Sequence, residues 1–234
     1  MKNQWKVLAI SALLAVPGAL PAQVLITLLF GEKLNSEKVE FGLIGGMNRS
    51  YIRDISDAKG LNNLDLGFYF HFLIKNSSYV STGVLVKSSV GATGMATYPL
   101  GDANFDAVYQ HGTLTKKIKG FYVPILYQRR VTRQWYVEAG PQLGLIFKPK
   151  DIFEVSDHGG DLSYTRGVQD EYKRVDAGVL AGVGYKLKPT TKSMSAGITY
   201  YQGMVNVSAR PDLTIRNSAV YFFVKLPIGA GAKP

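Results

Sequence analysis

Three histidines, His71, His111 and His158, are the side chains here best suited to proton transfer or metal ligation near neutral pH. No two of them stand at a metal-ligand spacing, and the HExxH pattern is absent. The chain has no cysteine, which excludes disulfides, thiolate zinc sites and an acylated N-terminal cysteine. Asp157-His158-Gly159-Gly160-Asp161 offers oxygen ligands but lacks the regular spacing of a calcium loop, so it reads as a solvated loop. Gly45-Gly46 is followed by no helix and is therefore not a phosphate cradle. What remains is a set of charged or titratable residues inside alternating, strand-like segments: Asp65, His71, Lys87, Glu138, Arg174 and Asp176. They are of both signs. The chemistry this pattern suits is mutual neutralisation in a closed interior, because an unpaired buried charge is expensive. A catalytic His71 would need a serine or an acid positioned beside it, and a hydrogen-bonded packing role is the expectation. No catalytic, metal-binding, ligand-binding or cofactor-binding residue is expected.

The element that must position two of these residues is Leu64 to Ile74. Its even positions, Leu64, Leu66, Phe68, Phe70, Phe72 and Ile74, are all large and apolar, while Asp65, Gly67, Tyr69, His71 and Leu73 alternate with them. A period of two places one apolar wall on one face of a strand. Eleven residues is also about what a tilted strand needs to cross a bilayer. Seven further segments read the same way: Lys38 to Ser50, Tyr79 to Gly91, Lys116 to Tyr127, Trp135 to Phe147, Lys173 to Leu187, Met194 to Val207 and Arg216 to Ile228. The connections between the eight alternate long and short. The long ones are Tyr51 to Asn63, Ala92 to Thr115, Lys148 to Tyr172 and Ser208 to Ile215. That asymmetry predicts an all-β, eight-stranded antiparallel up-and-down transmembrane β-barrel over residues 38–228, with short periplasmic turns and longer outer loops.

The N-terminus supports export. Lys2 and Lys6 precede the apolar run Val7 to Leu20, and small residues lead to a cleavage site near Ala22, so residues 1–22 read as a cleaved signal peptide. The competing reading is an uncleaved anchor continuing through Val24 to Phe30, a run that Pro17, Pro21 and Gln23 interrupt. Residues 23–37 form an N-terminal segment whose apolar part is Val24 to Phe30, and 229–234 a C-terminal tail. The net charge of +10 could point to nucleic acid, but an exported chain does not ordinarily meet it, and no basic helix face is present. After the N-terminal run, no later stretch is long and apolar enough for a helical span.

Alternation alone does not say which face is inside. A soluble lipocalin-like carrier would put the apolar residues in its lumen, and a lipid-modifying barrel enzyme would need the histidine. Two features favour lipid outside. Gly140, Gly144, Gly178, Gly182 and Gly184 lie on the polar faces, where a narrow lumen has room only for small residues. Aromatics gather near strand ends: Phe72, Tyr79, Tyr127, Trp135 and Tyr185 on the turn side, Tyr51, Phe147 and Tyr172 on the loop side. Lys75, Arg129, Arg130, Arg133, Lys186, Lys188 and Lys192 lie in or beside the short turns, a basic rim suited to anionic phospholipid.

The chain resembles the PorT-like outer-membrane β-barrel proteins of Gram-negative envelopes. The carriers are Phe41 to Ser50, Tyr122-Val123-Pro124-Ile125-Leu126-Tyr127, Glu138-Ala139-Gly140-Pro141, Ala181 to Tyr185 and Thr199 to Gly203, in that order. The resemblance implies an eight-stranded barrel without a catalytic centre, placed in the outer membrane of a Gram-negative bacterium. Its implied partners are outer-membrane lipid and envelope or secretion proteins, and one member serves the type IX secretion system. Two features depart from the general pattern of such barrels. The chain does not end on an aromatic residue, and Pro124 and Pro141 fall inside strands, where bulges are expected.

Overall fold

The computed structural model describes residue 36 and residues 38–228, apart from 56, 158, 159 and 191. The expected signal peptide, the segment 24–30, His158 and the tail 229–234 lie outside the described residues. Nine strands follow in chain order: β1 (Val39–Ile52), β2 (Lys59–Lys75), β3 (Ser78–Met95), β4 (Thr113–Arg130), β5 (Trp135–Asp157), β6 (Gly160–Gly167), β7 (Val175–Lys186), β8 (Ser195–Gly203) and β9 (Asn217–Pro227). A short helix, α1 (Ala103–Tyr109), precedes β4, capped by Asp102, whose carboxylate accepts from the amides of Asn104 and Phe105.

Eight of the strands form a ring. β1 to β5 pair in sequence, β5 pairs β7, β7 pairs β8 and β8 pairs β9. β9 returns to β1 in antiparallel register from Gly42↔Pro227 to Ile52↔Asn217. β6 pairs with β5 alone and stands above the ring as a hairpin. The described residues thus form an antiparallel, up-and-down barrel of eight strands. Tyr51 to Asn63 and Lys148 to Tyr172 are largely strand, contrary to the loops expected there. β1, β2 and β5 continue past the apolar band, and a strand outside that band loses the apolar alternation by which it would be recognised.

The apolar wall of β2 points outward: Leu64, Leu66, Phe72 and Ile74 are 41–59% exposed, while Asp65, Tyr69 and His71 are at most 4% exposed. β5 repeats this, with Trp135, Val137, Leu143 and Leu145 outward and Tyr136, Glu138 and Gln142 inward. A soluble carrier with an apolar lumen needs the opposite arrangement. Trp135 packs on Tyr185 at the turn end, with ring centroids 5.0 Å apart, and Phe147 packs on Phe121 at the loop end at 4.8 Å. The strand between Trp135 and Phe147, tilted about 40°, rises about 30 Å, close to the height of a bilayer's apolar core. Tyr79 and Tyr172 are buried and do not join this belt, contrary to expectation.

Several lumen glycines seat tyrosine rings. Gly42 faces Tyr69, Gly144 faces Tyr122 and Gly184 faces Tyr136 as register partners on neighbouring strands. A Cβ on Gly42 would sit 2.7 Å from Tyr69 Cε1, and one on Gly144 would sit 2.8 Å from Tyr122 Cε1. The rings occupy the space that a side chain at each glycine would take, which helps an eight-stranded lumen fill.

The expected bulges at the prolines do not occur. The β4–β5 register runs unbroken from Pro124↔Gln142 to Tyr127↔Ala139, and β5–β7 is unbroken through Pro141↔Val179. Ile125 and Leu126 are not paired in the β4–β5 ladder, so the stretch holding Pro141 carries no rungs on that side. The register shifts lie elsewhere, among them bulges at Val86 in β3 and Phe147 in β5.

Candidate functional site

Four charges and a histidine meet in the lumen near the turn end. Lys225 of β9 sets its Nζ 3.0 Å from Glu138 Oε2 of β5, and Lys186 of β7 sets its Nζ 3.2 Å from Glu40 Oε2 of β1. Tyr69 donates to Glu40 Oε1 at 2.9 Å. His71 Nδ1 lies 3.3 Å from Glu40 Oε1, and its Nε2 lies 3.4 Å from Lys225 Nζ. An ammonium at Nε2 and a carboxylate at Nδ1 suit a neutral imidazole that carries its proton on Nδ1. The rings of Phe223, Tyr136 and Tyr69 pack round the ammonium of Lys225, at 4.9, 5.6 and 5.7 Å. All four charges are buried, and two lysines balance two glutamates.

Above this cluster the lumen acids are held by neutral donors. Asp65 accepts from Asn48 Nδ2 at 2.8 and 2.9 Å and from Ser88 Oγ at 2.5 Å. Asp176 accepts from Tyr201 OH at 2.9 Å and from Asn217 Nδ2 at 2.8 Å. A cavity of about 50 Å³ is lined by Asp65, Glu138, Gln142 and Lys225 among others. It has room for a few waters.

The six residues singled out from the sequence therefore divide. Asp65, His71, Glu138 and Asp176 lie inside, whereas Lys87 and Arg174 are exposed on the outer surface. For Lys87 the reason is the bulge at Val86. Ser81, Gly83 and Leu85 face inward on odd positions, the extra residue shifts the phase, and Ser88 and Val90 then take the inward places. Arg174 lies just before the start of β7, where only its carbonyl joins the ladder, accepting from Ile146 N at 2.7 Å. The opposite-charge pairing expected for Asp65 and Asp176 is replaced by amide and hydroxyl donors. The pairing cations are Lys186, expected at the turn rim, and Lys225. A single lysine within the apolar run Tyr221 to Leu226 was the sequence signal for Lys225.

Glu40, His71 and Ser81 occupy one cross-strand row, residue types that can perform acyl transfer in an open cleft. Here the imidazole Nε2 faces Lys225, no His71–Ser81 hydrogen bond occurs among the described residues, and all three side chains are enclosed. The row packs the lumen.

A second polar centre lies at the loop end. The Phe147 bulge turns Asp151 inward, where Lys116 reaches it at 2.7 Å and Tyr98 donates to it at 2.9 Å. Burial first, and then the adjacent Asp151 carboxylate, hold the Tyr98 hydroxyl above its usual pKa, so it remains a donor. Arg166 Nη1 of β6 donates to Tyr98 OH at 3.3 Å. Arg166 and Arg210 approach Glu171 at 3.7 and 3.8 Å, and Arg210 holds Asp212 at 2.7 Å. Tyr98, Phe105, Tyr109, Phe153 and Tyr164 form an aromatic cluster with successive ring centroids 5.1–6.4 Å apart. These contacts fasten α1, the β5–β6 hairpin and the 204–216 segment into one platform over the barrel mouth.

A model of the outer membrane protein beta-barrel domain matches residues 30–209. A comparison with curated proteins found no match. Among solved structures, the chain is similar to Ail, the attachment invasion locus protein of Yersinia pestis, in complex with the heparin analogue sucrose octasulfate. Identity is 11% over 82% of this chain and 99% of that one, with a TM-score of 0.45. It is also similar to Neisserial surface protein A, at 14% identity over 81% of this chain and 99% of that one, with a TM-score of 0.40. The family match, covering most of the chain and all but the last of the ring strands, shows that this protein belongs to the outer membrane protein beta-barrel domain family.

Proposed function

We propose that the protein is a non-enzymatic outer-membrane scaffold whose loop end faces outward and presents the β5–β6 hairpin to a partner. The observation that carries this reading is the edge of β6. Among the described residues, Gly160–Gly167 pairs with β5 only, so its second row of backbone donors and acceptors has no strand partner there, in a structured platform. Such an edge accepts an extended segment of another protein as an added strand. Among the described residues, the lumen around His71 is filled by buried side chains and offers neither a pore nor an open cleft to compete with this role. The buried Asp65, His71, Glu138 and Asp176 act in it as a rigid filling that fixes the barrel's shape.

The resemblance to PorT-like proteins narrows the partner class to envelope or secretion proteins, with accessory work in type IX-like secretion as the specific form. It goes with export by a cleaved signal peptide into a Gram-negative outer membrane. Replacing residues 154–167 by a short turn should leave an intact barrel, seen as a mobility shift between unboiled and boiled samples. Proteins that co-purify with the full chain from native membranes in mild detergent should be lost. Retention of every partner by the shortened chain would contradict the role of the hairpin. Normal export of type IX cargo by cells lacking the protein would contradict the secretion role.

A further inference from the structure

Outside the lumen, the most unusual charge arrangement is on the outer wall of β4 and β5. Lys117 stands directly opposite Lys150, and Lys119 directly opposite Lys148. Lys119, Lys148 and Lys150 are exposed and Lys117 is half-buried. Side chains opposite one another on a sheet are near neighbours, and like charges there repel. No acid forms an ion pair with any of the four among the described residues. The next acid along this face of β5 is Glu154, beyond Ile152 and opposite Thr113.

Two bulges produce this arrangement. In β5, even positions face inward up to Ile146, and the extra residue at Phe147 turns Lys148 and Lys150 outward. In β3, the bulge at Val86 turns Lys87 outward beside them, since Ser88 pairs Gly120, next to Lys119. Both of these bulges rotate lysine onto the same strip of wall. The strip sits at the loop-end aromatic girdle: Lys119 Nζ lies 5.6 Å from the Phe147 ring, which packs on Phe121. Below it the wall is apolar, with Leu143 and Leu145 exposed.

Cations gathered with no ion-paired acid among the described residues, directly above a lipid-facing wall, call for a multiply charged anion at headgroup height. We infer that Lys117, Lys119, Lys148 and Lys150, flanked by Lys87, bind the phosphates of a phosphorylated glycolipid of the outer leaflet. One phosphate sits between each cross-strand lysine pair, and the acyl chains lie along Leu143 and Leu145. This rests on the reading that the loop end faces outward.

The test uses the full chain in mild detergent and a bis-phosphorylated glucosamine-disaccharide glycolipid, with its dephosphorylated form and inorganic pyrophosphate as comparisons. The variant Lys117→Gln/Lys119→Gln/Lys148→Gln/Lys150→Gln should lose at least tenfold in affinity for the phosphorylated lipid. The unsubstituted protein should lose as much when both phosphates are removed, and its binding should weaken as salt rises. A turn-end variant, Lys75→Gln/Arg133→Gln/Lys188→Gln, should bind normally. If the fourfold variant fails the unboiled-mobility check for folding, Lys119→Gln/Lys148→Gln is read in its place. Unchanged binding by the wall variant, or equal binding of the dephosphorylated lipid, overturns the proposal. Displacement by equimolar pyrophosphate overturns the choice of a lipid. In cells, Ser163→Cys on β6 should react with a membrane-impermeant maleimide. Absence of labelling with the phosphate dependence intact would overturn the outward orientation and not the phosphate site.

Discussion

Replacing Lys225 by methionine should destabilise the barrel by about 3–5 kcal/mol, the usual penalty for stranding one partner of a buried ion pair. Methionine keeps much of the length and packing of the side chain, so the loss is of charge. It leaves Glu138 buried without its cation and removes the donor facing His71 Nε2. Glu138→Gln/Lys225→Met should recover most of the loss, because no net charge then remains to be neutralised at that position. Urea unfolding of the protein in lipid vesicles measures both. A single variant within about 1 kcal/mol of the original, well under that penalty, would mean that water reaches Glu138.

Val179→Arg should cost about 2–4 kcal/mol in a bilayer, and Val175→Arg about 0–1 kcal/mol, because a charge on the lipid face is penalised by depth. Val179 pairs with Pro141, midway between Trp135 and Phe147, while Val175 pairs with Leu145 near the loop-end girdle. Both are outward, 45% and 54% exposed, so burial within the protein does not separate them. Only the height of the surrounding lipid does. Equal losses at the two positions would place the apolar band elsewhere on the wall.

The fold was legible wherever one residue type alternated with another through the apolar band. Leu64 to Ile74 and Trp135 to Phe147 gave strand, face and lumen contents together, because a period of two has one physical solution once one side is lipid. The lumen glycines were legible for the same reason. The charges were harder. Glu138 and Asp176 kept the phase of their strands and lie inside, whereas Lys87 follows an extra residue at Val86 that no compositional signal marks. The Phe147 bulge has the same effect on Asp151, which falls in a polar, loop-like stretch of sequence and is a buried partner of Lys116. Bulges arise from tertiary register between strands, and local sequence carries little of that. The β5–β6 hairpin escaped notice because its strands lie outside the apolar band. Asp161, Ser163 and Thr165 face water and alternate only with Leu162 and Tyr164, a run far shorter than the strands that cross the apolar band.

The outer wall meets lipid while the lumen holds the polar network, and the absence of native cysteine makes this arrangement directly testable. Single cysteines placed in turn from residue 64 to residue 74 would carry a nitroxide label, in protein reconstituted into vesicles. Accessibility to membrane-dissolved oxygen should then alternate, high at Leu66, Phe68, Phe70 and Phe72 and low at Gly67, Tyr69 and His71. Accessibility to a water-soluble nickel complex should stay low at the same even positions. Even positions open to the nickel complex and closed to oxygen would show an outer wall in water and contradict the account.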